Sequence, residues 1–195
     1  MALRVFFTKS KQKNTNRIDH EDIDLTKEYA KEIEWEPKWD VGAPLPQVFS
    51  NGRKTFLIYY IAEPDPEWDG TYITMIDNTS ETTYPLALVE FIRPDTHRFG
   101  IVNDEAANGH PLYNKGLRFY AAHIVENSTW IEELKTIHKV HPYFNESNWS
   151  EDKHFLLFFH DEMFEIIAKD FKIETFKTTF QDLGIEVVKR MNTLH

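Results

Sequence analysis

Two acids and a histidine fall within residues 104–110 of the stretch Asn103-Asp104-Glu105…Gly109-His110-Pro111. A carboxylate beside an imidazole can exchange protons with a ligand or hold its polar groups by hydrogen bonds. A second such pair, His160-Asp161, closes an aromatic run. Asp161 is placed to form an Asx-type turn that orients His160, and strand alternation puts His154, Phe158 and His160 on one face. Asn103, Asp104, Glu105, His110, His160 and Asp161 therefore form the candidate ligand-binding set. The first block supports two readings. In one, Asn103 caps a helical turn, the acids suit its positive end, and Gly109 closes it in a left-handed conformation. In the other, Asp104, Glu105 and His110 line the mouth of a pocket, where loops held by a rigid scaffold usually carry function.

Other chemistries lack their residues. His138 and His141 form an H-x-x-H, but the zinc-protease pattern needs i,i+4 spacing with an intervening Glu, and His141-Pro142 reads as a helix end. His160-Asp161 lies at a turn and has no partner motif at helical spacing, which sets it apart from metal phosphohydrolases with a helical His-Asp pair. The chain has no Cys, no glycine-rich phosphate loop and no G-x-S-x-G elbow. The sequence thus predicts no metal and no cofactor.

Composition narrows the partners. The 195 residues carry a formal net charge of −10, which argues against nucleic acid, whose binding is dominated by phosphate neutralisation. The one basic patch, Lys9, Lys11, Lys13 and Arg17, reads as a solvated loop balanced by the acids of residues 19–40. No apolar window approaches a membrane span and the first residues lack a signal pattern, so the expectation is a cytoplasmic chain away from membranes. The N-x-S/T matches at Asn78, Asn127, Asn145 and Asn148 are then chance. An apolar fraction of 41% with 14% aromatic residues supports an ordered core in one domain, with residues 1–39 as a peripheral extension.

The elements that must position these groups follow from pattern. LRVFFT opens as a short strand. Residues 24–35 predict a helix, with Asp24 as cap, Glu28 and Lys31 at i,i+3, and Pro37 as stop. WEPKWDVGAPLPQVF is extended connection whose two tryptophans pack onto the domain. Strands are expected at 55–62, 71–77, 86–92, 97–102, 117–126, 154–160 and 162–168. Helices are expected at 129–141, where Thr129 and Glu132 fit a capping box, and near 176–192. The predicted fold is α+β: a single, mainly antiparallel sheet of six or more strands backed by two or three helices.

Three blocks resemble a bacterial family without an established activity: NDEAANGHPLYNKGL (103–117), NSTWIEEL (127–134) and HFLLFFHDEMFEIIA (154–168). DVGAPLPQVF with FLIYYI resembles that family's usual opening, so the likeness spans roughly residues 40–170. It implies grouping and no reaction. The expectation on function is a non-catalytic binding or interaction protein that meets a protein or small-molecule partner through residues 103–116 and His160-Asp161. The alternative is a hydrolase or other acid–base enzyme using Asp104, Glu105, His110 and His160 on a small polar substrate.

Overall fold

The aromatic and β-branched runs form two antiparallel sheets. In the computed structural model, which describes residues 23–62, 81–100 and 102–193, the strands are β1 (Tyr29–Ile33), β2 (Gln47–Ser50), β3 (Thr55–Tyr60), β4 (Tyr84–Ile92) and β5 (Thr96–Gly100). They continue with β6 (Ala122–Glu126), β7 (Lys153–Phe158), β8 (Met163–Ala168) and β9 (Asp170–Thr178); the α-helices are α1 (Thr129–His138) and α2 (Phe180–Asn192). One sheet has the order β1-β6-β7-β8-β5, the other β2-β3-β4-β9.

This corrects the expected single sheet backed by two or three helices. Every residue of β3 is buried, and so is nearly all of β7, so both faces of both strands need cover. One sheet cannot supply that, and each sheet here covers the inner face of the other. Phe155, Leu157, Phe164 and Ile166 of the five-stranded sheet meet Leu57, Tyr59, Val89 and Phe91 of the four-stranded one in the central core. Trp35 and Trp39 of the proline-rich connection are 5% and 3% exposed and complete that core. Trp35 Nε1–H donates to Tyr59 Oη at 3.0 Å, and Tyr59 Oη–H donates to the Pro37 carbonyl at 2.7 Å, which pins the connection, while the buried Trp39 Nε1–H has no partner among the described residues.

The outer faces are covered differently. On the four-stranded sheet, Leu183 and Val187 of α2 pack on Phe56, Ile58, Leu86 and Leu88, and Thr179 caps the helix by accepting from Asp182 N–H. On the five-stranded sheet the cover is the loop after residue 102: Ala107, Leu112 and Leu117 are buried against Ala30, Val125, Leu156, Phe158 and Met163. Gly116 closes that loop at φ +91°, where a Cβ would stand 2.2 Å from the Ala30 carbonyl oxygen. Ala30 N–H in turn donates to the Lys115 carbonyl at 2.7 Å, which binds the end of the loop to β1. Only glycine fits that approach.

Local expectations moved as well. The segment predicted as a helix over 24–35 holds β1, paired with β6 from Tyr29↔Glu126 to Ile33↔Ala122. The expected helix near 176–192 starts at Phe180, because residues 170–178 pair along the whole of β4. The strand expected at 117–126 begins at Ala122, the helix at 129–141 ends at His138, and its cap is Ser128 rather than Thr129. The strands expected at residues 3–8 and 71–77 lie outside the described residues. Among the described residues, no helix is long and apolar enough to cross a membrane.

Candidate functional site

The turn between β7 and β8 and the loop after residue 102 are stitched together by a backbone bond, Asp104 N–H to the His160 carbonyl at 3.2 Å. Around it stand four polar side chains. Tyr120 donates its hydroxyl to Asp104 Oδ2 at 2.6 Å and lies nearly parallel to the His160 ring, with centroids 6.0 Å apart. His160 Nδ1 bonds Asp161 Oδ1 at 2.9 Å, and its Nε2 lies 4.0 Å from Asp104 Oδ2. Desolvation, then the hydrogen bond to Asp104 and the charges of Asp104 and Asp161, push the Tyr120 phenol up to about 12, so it stays a donor at neutral pH. Burial, aided by the charge of Asp161, also holds Glu162 above the usual carboxylate range. Tyr120 reaches this position with φ +55°, a left-handed turn that aims its ring along the surface.

The six expected residues divide between three settings. Asp104, His160 and Asp161 meet as described. Asn103 accepts from Ala106 N–H at 3.0 Å and so starts the turn, while Glu105 is exposed beside it. Gly109 ends a 3₁₀ turn over Ala107–Gly109; the left-handed glycine of this loop is Gly116. His110 accepts from Leu112 N–H through Nδ1 at 3.2 Å. It is half-buried, and burial lowers its pKa against the pull of Glu165 and Glu28. The charges that His110 senses thus belong to the outer face of the sheet rather than to the Asp104–His160 group.

That outer face carries a polar line the sequence did not reveal. His154 Nε2–H donates to Glu165 Oε2 at 2.9 Å, and its Nδ1 lies 2.9 Å from Ser128 Oγ. Burial pushes Glu165 up, but the hydrogen bond and charge of His154, with Arg98 and His110, outweigh it and hold its pKa below the ordinary value. The Arg98 guanidinium sits 3.9 Å over the Trp130 ring, which meets His154 edge-on at 5.1 Å. A hydroxyl, an imidazole and a carboxylate in this order are the parts of a nucleophilic relay. Their burial argues otherwise: Ser128 is 5% exposed and His154 3%, and Ser128 Oγ already accepts from Ile131 N–H as the cap of α1. The line pins α1 to the sheet with its polar groups satisfied.

The remaining histidines are local. His138 packs on Trp149 with centroids 5.3 Å apart, and His141 Nδ1 accepts from Tyr143 N–H. Among the described residues, no group of three or more His, Asp or Glu has the arrangement to hold a metal ion.

Two exposed aromatics adjoin the Asp104–His160 group and were not singled out by sequence. Phe119 is 44% exposed and Tyr120 37%, and Phe119 rests on Phe158 and Tyr113 at centroid distances of 5.4 and 6.5 Å. The signal was present in Arg118-Phe119-Tyr120, which breaks the in–out alternation expected of a strand. Comparison of the chain with family models, with curated proteins and with solved structures finds no match.

Proposed function

We propose that the protein is a non-catalytic, cytoplasmic binding module that docks a protein partner on the surface formed by residues 103–120 and the His160-Asp161 turn. The observation that carries this is the pair Phe119 and Tyr120, exposed rings of which Phe119 rests on the buried Phe158 and Tyr120 is held by Asp104 and His160. Aromatic side chains fixed in place before binding are the residues that dominate interface energies. Acids adjoin Tyr120: Asp104 accepts its hydroxyl, Asp161 raises its pKa by charge, and Glu105 and Glu162 follow Asp104 and Asp161 in sequence. With a chain net charge of −10, that rim selects a partner presenting basic groups. Asp104 and Asp161 are engaged with Tyr120 and His160 and serve to orient the rings.

Replacing Phe119→Ser and Tyr120→Ser together is expected to cost less than about 1.5 kcal/mol of stability, since both rings are solvent-facing. It should weaken partner binding at least about tenfold, the loss expected of interface anchors. Urea unfolding and retention of the partner on the immobilised chain give the two numbers. Binding that survives the double change, or is lost only as the fold is lost, contradicts the assignment. Added salt should also weaken the parent's binding, because the rim is exposed.

A further inference from the structure

A second, concave site lies at the opposite end of the five-stranded sheet. The chain crosses between sheets twice there, once through Arg93–Asp95 between β4 and β5 and once at Lys169 between β8 and β9. Lys169 N–H donates to the Ile92 carbonyl and Asp95 N–H to the Ile167 carbonyl, so the two crossings are tied side by side. His138 at the end of α1 and the segment Asn148–Asp152 close the space above them. The result is a cavity of about 500 Å³, within the size range of small-molecule sites.

Its walls carry charged side chains, of which Arg93 and Asp95 are exposed and Asp152 is nearly buried. The Asp152 side chain is 4% exposed and lines the cavity; it accepts no hydrogen bond from a described residue, the charge of Lys135 acts on it, and the Lys169 ammonium lies 4.0 Å away. That ammonium is committed elsewhere, donating to the Asn148 carbonyl at 3.0 Å and Glu151 Oε2 at 3.1 Å. Burial, then the charge of Asp95, hold Asp152 above the usual carboxylate range, and burial does the same to Asp95 at the cavity mouth. Facing them, Arg93 has φ +50°, and no hydrogen bond or ion pair ties its guanidinium to a described residue. The half-buried Trp149 ring, braced on His138, supplies a flat apolar wall.

A nearly buried carboxylate, a second and exposed one, an exposed guanidinium and an aromatic wall around one cavity suit a ligand with charges of both signs. We infer that this cavity binds a small zwitterion, a free amino acid, with its ammonium on Asp152 and Asp95 and its carboxylate on Arg93. Trp149 lies along the side chain. This site is separate from the docking surface proposed above, and neither depends on the other.

The test is an NMR titration that reads the Trp149 indole N–H, with glycine, L-serine and L-phenylalanine as probes, alongside phenethylamine and N-acetyl-L-phenylalanine. At least one amino acid should give a saturable shift with a Kd of about 1 mM or tighter, in the range of modest small-ligand affinity. Removing the carboxylate or the ammonium from the phenylalanine probe should weaken binding about tenfold or more, the worth of one charge-assisted hydrogen bond. Asp152→Asn and Arg93→Gln should each weaken the amino acid by a similar factor while leaving the unfolding midpoint close to the parent, since neither side chain makes a hydrogen bond to a described residue. The inference is overturned if none of the three amino acids gives a saturable shift below about 10 mM. It is equally overturned if the singly charged analogues bind as well as L-phenylalanine, or if both variants bind like the parent.

Discussion

Phe158→Ala is expected to destabilise the protein by about 3–5 kcal/mol, a large fraction of the stability of a single domain. Phe158 has no exposed surface, sits on the outer face of β7, and is where the covering loop meets the sheet through Ala107, Leu112 and Leu117. Its loss leaves a cavity that these neighbours fill poorly, since the loop is held by Gly116 at one end and by the Asp104–His160 backbone bond at the other. Phe119 also loses its support, so the docking surface should loosen before the whole fold gives way. Urea unfolding reads the first effect and the NMR line widths of the Tyr120 and His160 rings the second. A midpoint equal to the parent's would show that the loop does not pack on Phe158 as described.

The second large effect is set by pH. His123 is fully buried on the same sheet face, where Nδ1–H donates to the Leu156 carbonyl at 3.3 Å and Nε2 accepts from Arg118 N–H at 3.0 Å. A proton added at Nε2 would remove that acceptor and bury a charge. Burial, assisted by the positive charge of Arg118 and opposed by the Leu156 carbonyl, pushes its pKa down to about 4. In the unfolded chain the ring takes its proton near an ordinary value of about 6.5, so between these values the unfolded state binds more protons than the native one. The stabilisation is therefore complete above about pH 6.5 and is lost as pH falls toward 4, by about 3 kcal/mol in total. His123→Gln should remove this component and flatten the profile over that window. Urea midpoints from pH 7 to 4 that run parallel for parent and variant would contradict it.

How much of this was legible in the sequence depended on what each pattern can encode. The runs around β3, β4, β7 and β8 announce strands because β-branched and aromatic residues dominate them. A continuous apolar run says that a strand has two buried faces, but not which strands share a sheet. The division into two sheets rests on the corner between Ala168 and Asp170, where a single residue, Lys169, carries the chain from one sheet to the other. Asp24, Glu28 and Lys31 have helical spacing, yet the ladder with β6 prevails over propensity at residues 29–33. In β9 Phe171 and Ile173 alternate toward the central core while Phe176 turns to the α2 side, and pairing with β4 prevails over the helical spacing that begins at Phe176.

The candidate site divides the same way. Polar clustering singled out Asp104, His160 and Asp161, and the fold places these three together. Tyr120 and Phe119 escaped notice because an aromatic pair within an apolar stretch looks like strand interior until the left-handed turn at Tyr120 is known. His154 and Glu165 lie eleven positions apart and meet only across the β7–β8 ladder. Asp95, Asp152 and Lys169 come from three separate connections, so no local pattern could have joined them.

Photo-crosslinking from the centre of the docking surface tests the proposed binding role most directly. Tyr120 replaced by p-benzoylphenylalanine, irradiated in the cells that make this protein, is predicted to give a discrete protein adduct whose partner presents a basic surface. The same reagent in place of Val188, which is 48% exposed on α2 in the opposite outer layer, should not give that adduct. Equal adducts from positions 120 and 188, or none from position 120, would contradict a partner on this surface.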